Sequence, residues 1–148
     1  MAAGGVRASA DAYVTWEQFE PDKCASIWVI KRFIATDAEI LFFKRGTTPP
    51  DGIPFDTPNA EFRRLHNKST FETLVDGYSL SDTQVNYIAR LIHDMEVNVW
   101  ERKALPETRR VEAELVDLVS NSDVEHLVSA CLAYFDSFYD RLVAGGVQ

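Results

Sequence analysis

The chain has little of what most often announces a chemistry. Cysteine occurs only at positions 24 and 131, a spacing that fits no zinc motif and supplies too few thiols for a disulfide framework. The expectation is two buried free thiols in a cytoplasmic protein. Long hydrophobic runs are missing: SIWVI at 26–30 and ILFF at 40–43 are the longest, far short of the roughly 20 residues that span a bilayer. The N-terminal stretch MAAGGVRASADAY has no apolar core, so no secretory signal is read there. Its Gly, Ala and Ser content predicts a flexible tail over residues 1–12. Positive charge is scarce and unevenly placed. Residues 1–74 hold nine Lys/Arg against ten Asp/Glu, and residues 75–148 hold six against thirteen, giving the net of −8. That acidic second half argues against a nucleic-acid or anionic-membrane surface. Nucleophile elbow, phosphate-binding glycine loop, dinucleotide fingerprint and closely paired histidines are all absent from the sequence.

What is present suits one folded domain over residues 13–148. The chain is 46% hydrophobic and carries three Trp, five Tyr and nine Phe, enough large apolar volume for a real core. Residues 12–19 alternate like a strand. Pro21 precedes a helical run over 22–34 with Asp22 as its cap, and AEILFFK at 38–44 reads as a second strand. Six Gly and Pro residues between 46 and 58 predict a loop, with a short extended piece at 53–56, before a third strand at 59–65. Ser69-Thr70-Phe71-Glu72 is a capping box opening a helix that Gly77 ends. Ser81 caps a helix over 82–97. Pro106 starts another, running to about 120, and Ser122 with Glu125 opens the last, over 123–143. The fold class is α+β: a small sheet from the N-terminal half packed with a mainly helical C-terminal half.

Several polar residues exceed what a core requires. His93 borders the apolar face of its helix, beside Asp94; imidazole can ligate a metal or move a proton near neutrality. The alternative is a histidine packed at the core edge. Glu61 and His66 flank the expected third strand and could join His93 and Asp94 as a mixed nitrogen and oxygen metal site, or lie on a solvated face. Lys23 and Arg32 lie on the 22–34 helix, where an ammonium and a guanidinium fork can hold an anion; the alternative is an internal salt bridge to Glu61 or Asp56. Arg45, Arg63, Arg64 and Lys68 are further material for a cationic pocket. Glu72 reads as a cap and His126 as surface. Cys24 lies near a helix N-terminus, which favours thiolate, but has no neighbouring cysteine to resolve it.

The order of these segments resembles the C-terminal domain of the chromate resistance protein ChrB. The family pattern D-R-x-A-x-x-W-L-I-x-R-F-I stands here as Asp22, Lys23, Ala25, Trp28, Val29, Ile30, Arg32, Phe33 and Ile34. Asp37, Ala38 and Phe42 follow, then Pro54, Phe55 and Asp56, then Glu61 and Phe62. Ser69-Thr70-Phe71-Glu72 stands for C-T-F-E, and Leu91 to Glu96 for I-V-H-D-A-D. Phe135, Asp136, Phe138 and Tyr139 resemble the closing Y-D-x-x-Y. Two positions depart from the pattern. Arg64 stands where relatives often carry a histidine, with His66 two residues on, and Ser69 replaces the family cysteine.

The resemblance implies a metal- or oxyanion-binding module of chromate or metal stress response, without the DNA-binding region of full-length members. A divalent transition metal is the implied cofactor and a small anion or metal ion the partner. The pocket is expected between the 22–34 helix, the 59–65 strand and the 82–97 helix. Lys23 and Arg32 would hold the anion, and Glu61, His66, His93 and Asp94 the metal. Because the net charge of −8 repels chromate, binding needs a focused local field or a metal that carries the anion. Two other readings stay open. One is a small metal-dependent enzyme with His93 as acid or base. The other is a homodimer built on the aromatic last helix, around Tyr134, Phe135, Phe138 and Tyr139.

Overall fold

A computed structural model describes residues 12–99 and 102–145; the expected tail falls outside them except for Ala12. The chain enters as β1 (Ala12–Trp16), buried along its first four residues. It turns into α1 (Pro21–Val29), whose nine residues are all buried. Pro21 sits in the first turn, where its missing N–H costs nothing. One wide turn, Ile30–Ile34, prolongs α1, with the Ala35 N–H donating to the Ile30 carbonyl at 2.7 Å. The chain returns as β2 (Glu39–Phe43) and, after the Gly/Pro loop, as β3 (Ile53–Pro54). Both pair with β1 in parallel, in the order β2-β1-β3. All three strands therefore end on the same side of the sheet.

The expected strand at 59–65 does not form. Asp56 adopts a left-handed backbone, with φ of 56°, and Thr57 to Asn59 turn the chain. Only isolated bridges remain, Phe55 to Phe62 and Leu65 to Lys68. Phe62 is buried nonetheless. It lies against Gly77, where a Cβ would come within 2.7 Å of its ring. Gly77 is thus the last residue of α2 (Thr70–Gly77) and makes room for Phe62, rather than ending the helix in a left-handed turn. The capping box of α2 is complete: Ser69 Oγ accepts the Glu72 N–H at 3.1 Å, and Glu72 Oε1 accepts the Ser69 N–H at 2.8 Å.

The remaining helices are α3 (Thr83–Glu96), α4 (Thr108–Ser120) and α5 (Val124–Gly145). Asp82, not Ser81, caps α3 by accepting the Val85 N–H at 2.9 Å. Asp123, not Ser122, accepts the His126 N–H at the start of α5. The four later helices pack around α1. Leu127, Cys131, Phe135, Phe138 and Leu142 give α5 its buried stripe. The fold is α+β, a small sheet in the N-terminal half packed with a mainly helical C-terminal half. Among the described residues, no helix is long and apolar enough to cross a membrane.

Cys24 and Cys131 are not free thiols. Helical spacing points both into the core, and they meet as a disulfide joining α1 to α5 across 107 residues of sequence.

Candidate functional site at the strand ends

In an open parallel sheet, helices cover the faces and leave a crevice beyond the carboxyl ends of the strands, where neighbouring connections diverge. Here β1 leads through α1 to β2 on one side, while β3 flanks β1 on the other. Beyond their ends lies a cleft of about 250 Å³, lined by Trp16, Gln18 and Glu20 after β1, by Asp56, Thr57 and Pro58 after β3, and by Arg63 and Arg64. From the end of β2, Arg45 stacks over the Trp16 ring at 4.1 Å and donates to Gln18.

A buried polar cluster forms the wall behind it. The first turn of α1 carries Asp22 and Lys23, 1% and 0% exposed. Lys23 Nζ donates to the Trp16 carbonyl at 2.6 Å and stands 3.7 Å from Asp56 Oδ2. The left-handed turn at Asp56 aims its carboxylate here; Oδ1 also accepts the Thr70 hydroxyl at 2.7 Å. Asp22 does not cap its own helix. It reaches 48 residues along the chain and accepts the Thr70 and Phe71 N–H groups at the start of α2. Arg64 binds Glu96 at the end of α3, with Nη1 2.6 Å from Oε1.

Burial sets the electrostatics. It lowers the Lys23 ammonium to a pKa of about 8, although Asp56 and Glu20 pull the other way. It raises Asp56 despite the attraction of Lys23. Asp22 is pushed well up, first by burial and then by the charges of Asp56 and Glu96, against the two backbone N–H groups it accepts. Glu96 is also raised, by burial and by Glu20. Four carboxylates thus crowd one cleft wall, opposed by Lys23 and Arg64. Arg63 donates to the Ala60 carbonyl at 2.9 Å and has no carboxylate partner among the described residues. Its other donors are available to a ligand.

The residues singled out in the sequence separate into three places. Lys23 stands at the cleft. Arg32 does not: its fork grips Asp136 on α5, at 3.0 Å from Nε and 2.8 Å from Nη2, and Trp28 Nε1 donates to the same carboxylate at 2.9 Å. The ion pair is half exposed. Glu61 and His66 lie exposed on the loop that replaced the expected strand.

His93 and Asp94 line a second cleft, of about 580 Å³, with Glu72, Arg90 and Asn98. His93 Nδ1 lies 2.8 Å from Glu72 Oε1. A carboxylate only accepts, so Nδ1 carries the hydrogen and Nε2 is left for a ligand. Asp94 is 1% exposed. Its Oδ1 accepts from Ala104 N and Asn98 Nδ2, and its Oδ2 from Leu105 N and Thr108 Oγ1. Burial opposes its charge, but these four bonds outweigh that and hold its carboxyl at about 2. It organises the loop before α4.

Glu61, His66, His93 and Asp94 do not converge. Among the described residues, the group of three His, Cys, Asp or Glu side chains with ligand atoms within 4.8 Å of one another is Asp123, Glu125 and His126, all exposed at the start of α5. A metal entering the strand-end cleft would instead meet the oxygens of Glu20 and Asp56, with Glu96 nearby, donors suited to a hard cation. Trp16, Gln18, Glu20 and Glu96 escaped the sequence reading. The signal was positional: Trp16 and Gln18 lie in the latter half of the first predicted strand, Glu20 directly follows it, and Glu96 closes the 82–97 helix. The aromatic residues of α5 are used inside the fold, with Phe135 and Phe138 buried, Tyr139 against Trp28 and Phe33, and Tyr134 bonded to Glu114.

No curated protein and no solved structure matches the chain. The profile described as ChrB, C-terminal domain matches residues 13–142, from the start of β1 to the last turn of α5. The chain belongs to the ChrB C-terminal domain family.

Proposed function

We propose that the domain is a ligand-binding module of chromate or metal stress response, taking a small oxyanion, bare or carried by a metal ion, in the strand-end cleft. One observation carries the reading: Arg45, Arg63, Arg64 and the buried Lys23 gather at the carboxyl ends of three parallel strands. Guanidinium forks match the paired oxygens of a tetrahedral oxyanion. Lys23 adds a cation at the cleft wall, where water screens it least. Asp56 holds Lys23, and Glu20 and Asp56 offer oxygens to a metal arriving with the anion. Family membership supplies the chromate-resistance setting.

Calorimetric titration with chromate, sulfate and manganese(II), separately and together at fixed ionic strength, tests this. A single saturable anion site is expected, weakened about tenfold or more in Arg63→Ala, the loss of a charge-assisted hydrogen bond. Binding unchanged in Arg63→Ala and Arg64→Ala, or absent from the wild type, would sink the reading. Elemental analysis of protein purified without a metal column, compared with Glu20→Gln/Asp56→Asn, decides whether a metal accompanies the anion.

A second reading is acid–base catalysis in the neighbouring cleft, favoured by the His93–Glu72 pair. Glu72 fixes the ring and leaves Nε2 facing a ligand. Nitrogen NMR should find the hydrogen on Nδ1; a hydrogen only on Nε2 would remove this reading.

A further inference from the structure

We infer that the Cys24–Cys131 bond is a reversible redox latch between α1 and α5, rather than a staple the fold requires. Three observations point there. The bond joins residues 107 apart and is the only covalent link between the central helix and the last one. Apolar side chains other than the two cysteines pack the core around it: Ile27 and Trp28 on α1, and Leu127, Phe135 and Phe138 on α5, are all within 2% of full burial. A chain of this length buries enough apolar surface to fold unstapled. Non-covalent ties also hold α5 in place: Trp28 and Arg32 bind Asp136, and Tyr139 donates to Asp82, the cap of α3, at 2.7 Å. A folded dithiol and a folded disulfide are therefore both accessible states.

The two states differ in how freely α5 can leave the core. Both cysteines are at most 1% exposed, so exchange requires α5, the last helix of the described chain, to lift locally. In the oxidised state that motion is tethered at Cys131, in the first half of the helix; in the reduced state it is not. Cys24 directly follows Asp22 and Lys23, so the latch also pins the α1 turn that forms the cleft wall. The exchange balances with a small dithiol. One reagent thiolate attacks a sulfur of the bond, forming a mixed disulfide and expelling the other cysteine as thiolate. The second reagent thiol then closes the reagent's own disulfide and frees the first cysteine. Two electrons pass to the protein, and two protons end on its sulfurs. A small disulfide reverses the step.

The test equilibrates the chain with graded ratios of reduced to oxidised dithiothreitol. Thiols are then trapped by alkylation under denaturing quench, and circular dichroism and amide hydrogen exchange are followed. Expected is one two-electron transition from zero to two alkylated cysteines, reversible on reoxidation, with helix content kept throughout. Amides of α5 should exchange several-fold faster in the reduced protein while those of β1 stay unchanged. Unfolding of the reduced chain would make the bond a staple and overturn the inference. So would two thiols that persist under oxidised reagent, or α5 exchange that ignores the redox state. Cys131→Ser should show the fast α5 exchange at every ratio; where that variant does not fold, the reduced wild type still decides. Anion affinity plays no part in these readouts, so the latch and the cleft reading fail separately.

Discussion

Lys23 and Arg32 sit nine residues apart on one helical run, and the fold treats them oppositely. Lys23 is enclosed at the cleft wall, its charge opposed by burial and held mainly by Asp56 at 3.7 Å. Arg32 stands in the wide turn at the other end, 42% exposed, bonded through two nitrogens to Asp136. A stability argument accounts for Arg32 fully: its partner is close, its geometry bidentate, and it ties α5 to α1. Lys23 finds no such account. A buried ammonium held by one carbonyl and by a carboxylate 3.7 Å away is costly to desolvate, and such arrangements cluster at sites that handle charge. The cation that looked more suited to gripping an anion belongs to the scaffold, and the enclosed one lies behind the cleft wall, bonded to Trp16 and beside Asp56, which line it.

Breaking each side of this contrast should give unequal effects. Lys23→Met leaves Asp56 and Asp22 buried without their cation and should cost about 3–5 kcal/mol in denaturant unfolding; a loss below about 1 kcal/mol would mean that the cluster holds no net buried charge. Asp94→Asn comes next. Its amide nitrogen would face the Leu105 N–H and the Thr108 hydroxyl, for a loss of about 2–3 kcal/mol. The Asp94 carboxyl ionises at about 2 in the folded chain against 3.8 ordinarily. Its contribution, about 2 kcal/mol, is therefore present above pH 4 and lost as pH falls toward 2. The wild type should show that acid limb and Asp94→Asn should lack it. Arg32→Ala should cost only about 1 kcal/mol or less, and less again in high salt.

The contrast also predicts a pH profile for binding. Lys23 loses its proton near pH 8 in the folded chain. Anion affinity should fall several-fold as pH rises from 7 to 9, because the neutral amine no longer attracts the ligand. Sulfate affinity measured by calorimetry in buffers spanning that range checks it. A flat profile in the wild type would separate Lys23 from the binding step.

Local structure was legible where local physics decides it. The alternation at 12–19, the apolar run at 38–44 and the Ser69–Glu72 capping box each depend on residues close in sequence; the first two form the shorter strands Ala12–Trp16 and Glu39–Phe43, and the box is complete. The site was less legible because its contacts are long in sequence: Asp22 to Thr70 across 48 residues, Arg32 to Asp136 across 104, Cys24 to Cys131 across 107. Periodicity says which side of a helix is buried, not what meets it there. The run at 59–65 had the composition of a strand, but a left-handed Asp56 and the turn through Pro58 left it no partner beyond single bridges. That turn is what carries the Asp56 carboxylate to Lys23.

The most direct test of the cleft is crystallographic. Crystals grown without sulfate or phosphate would be soaked in chromate and measured above the chromium absorption edge. An anomalous peak between Trp16, Asp56, Arg63 and Arg64, absent from Arg63→Ala/Arg64→Ala crystals of the same form, is the predicted result. A peak at the exposed Asp123–His126 group or beside His93, with the strand-end cleft empty, would contradict it.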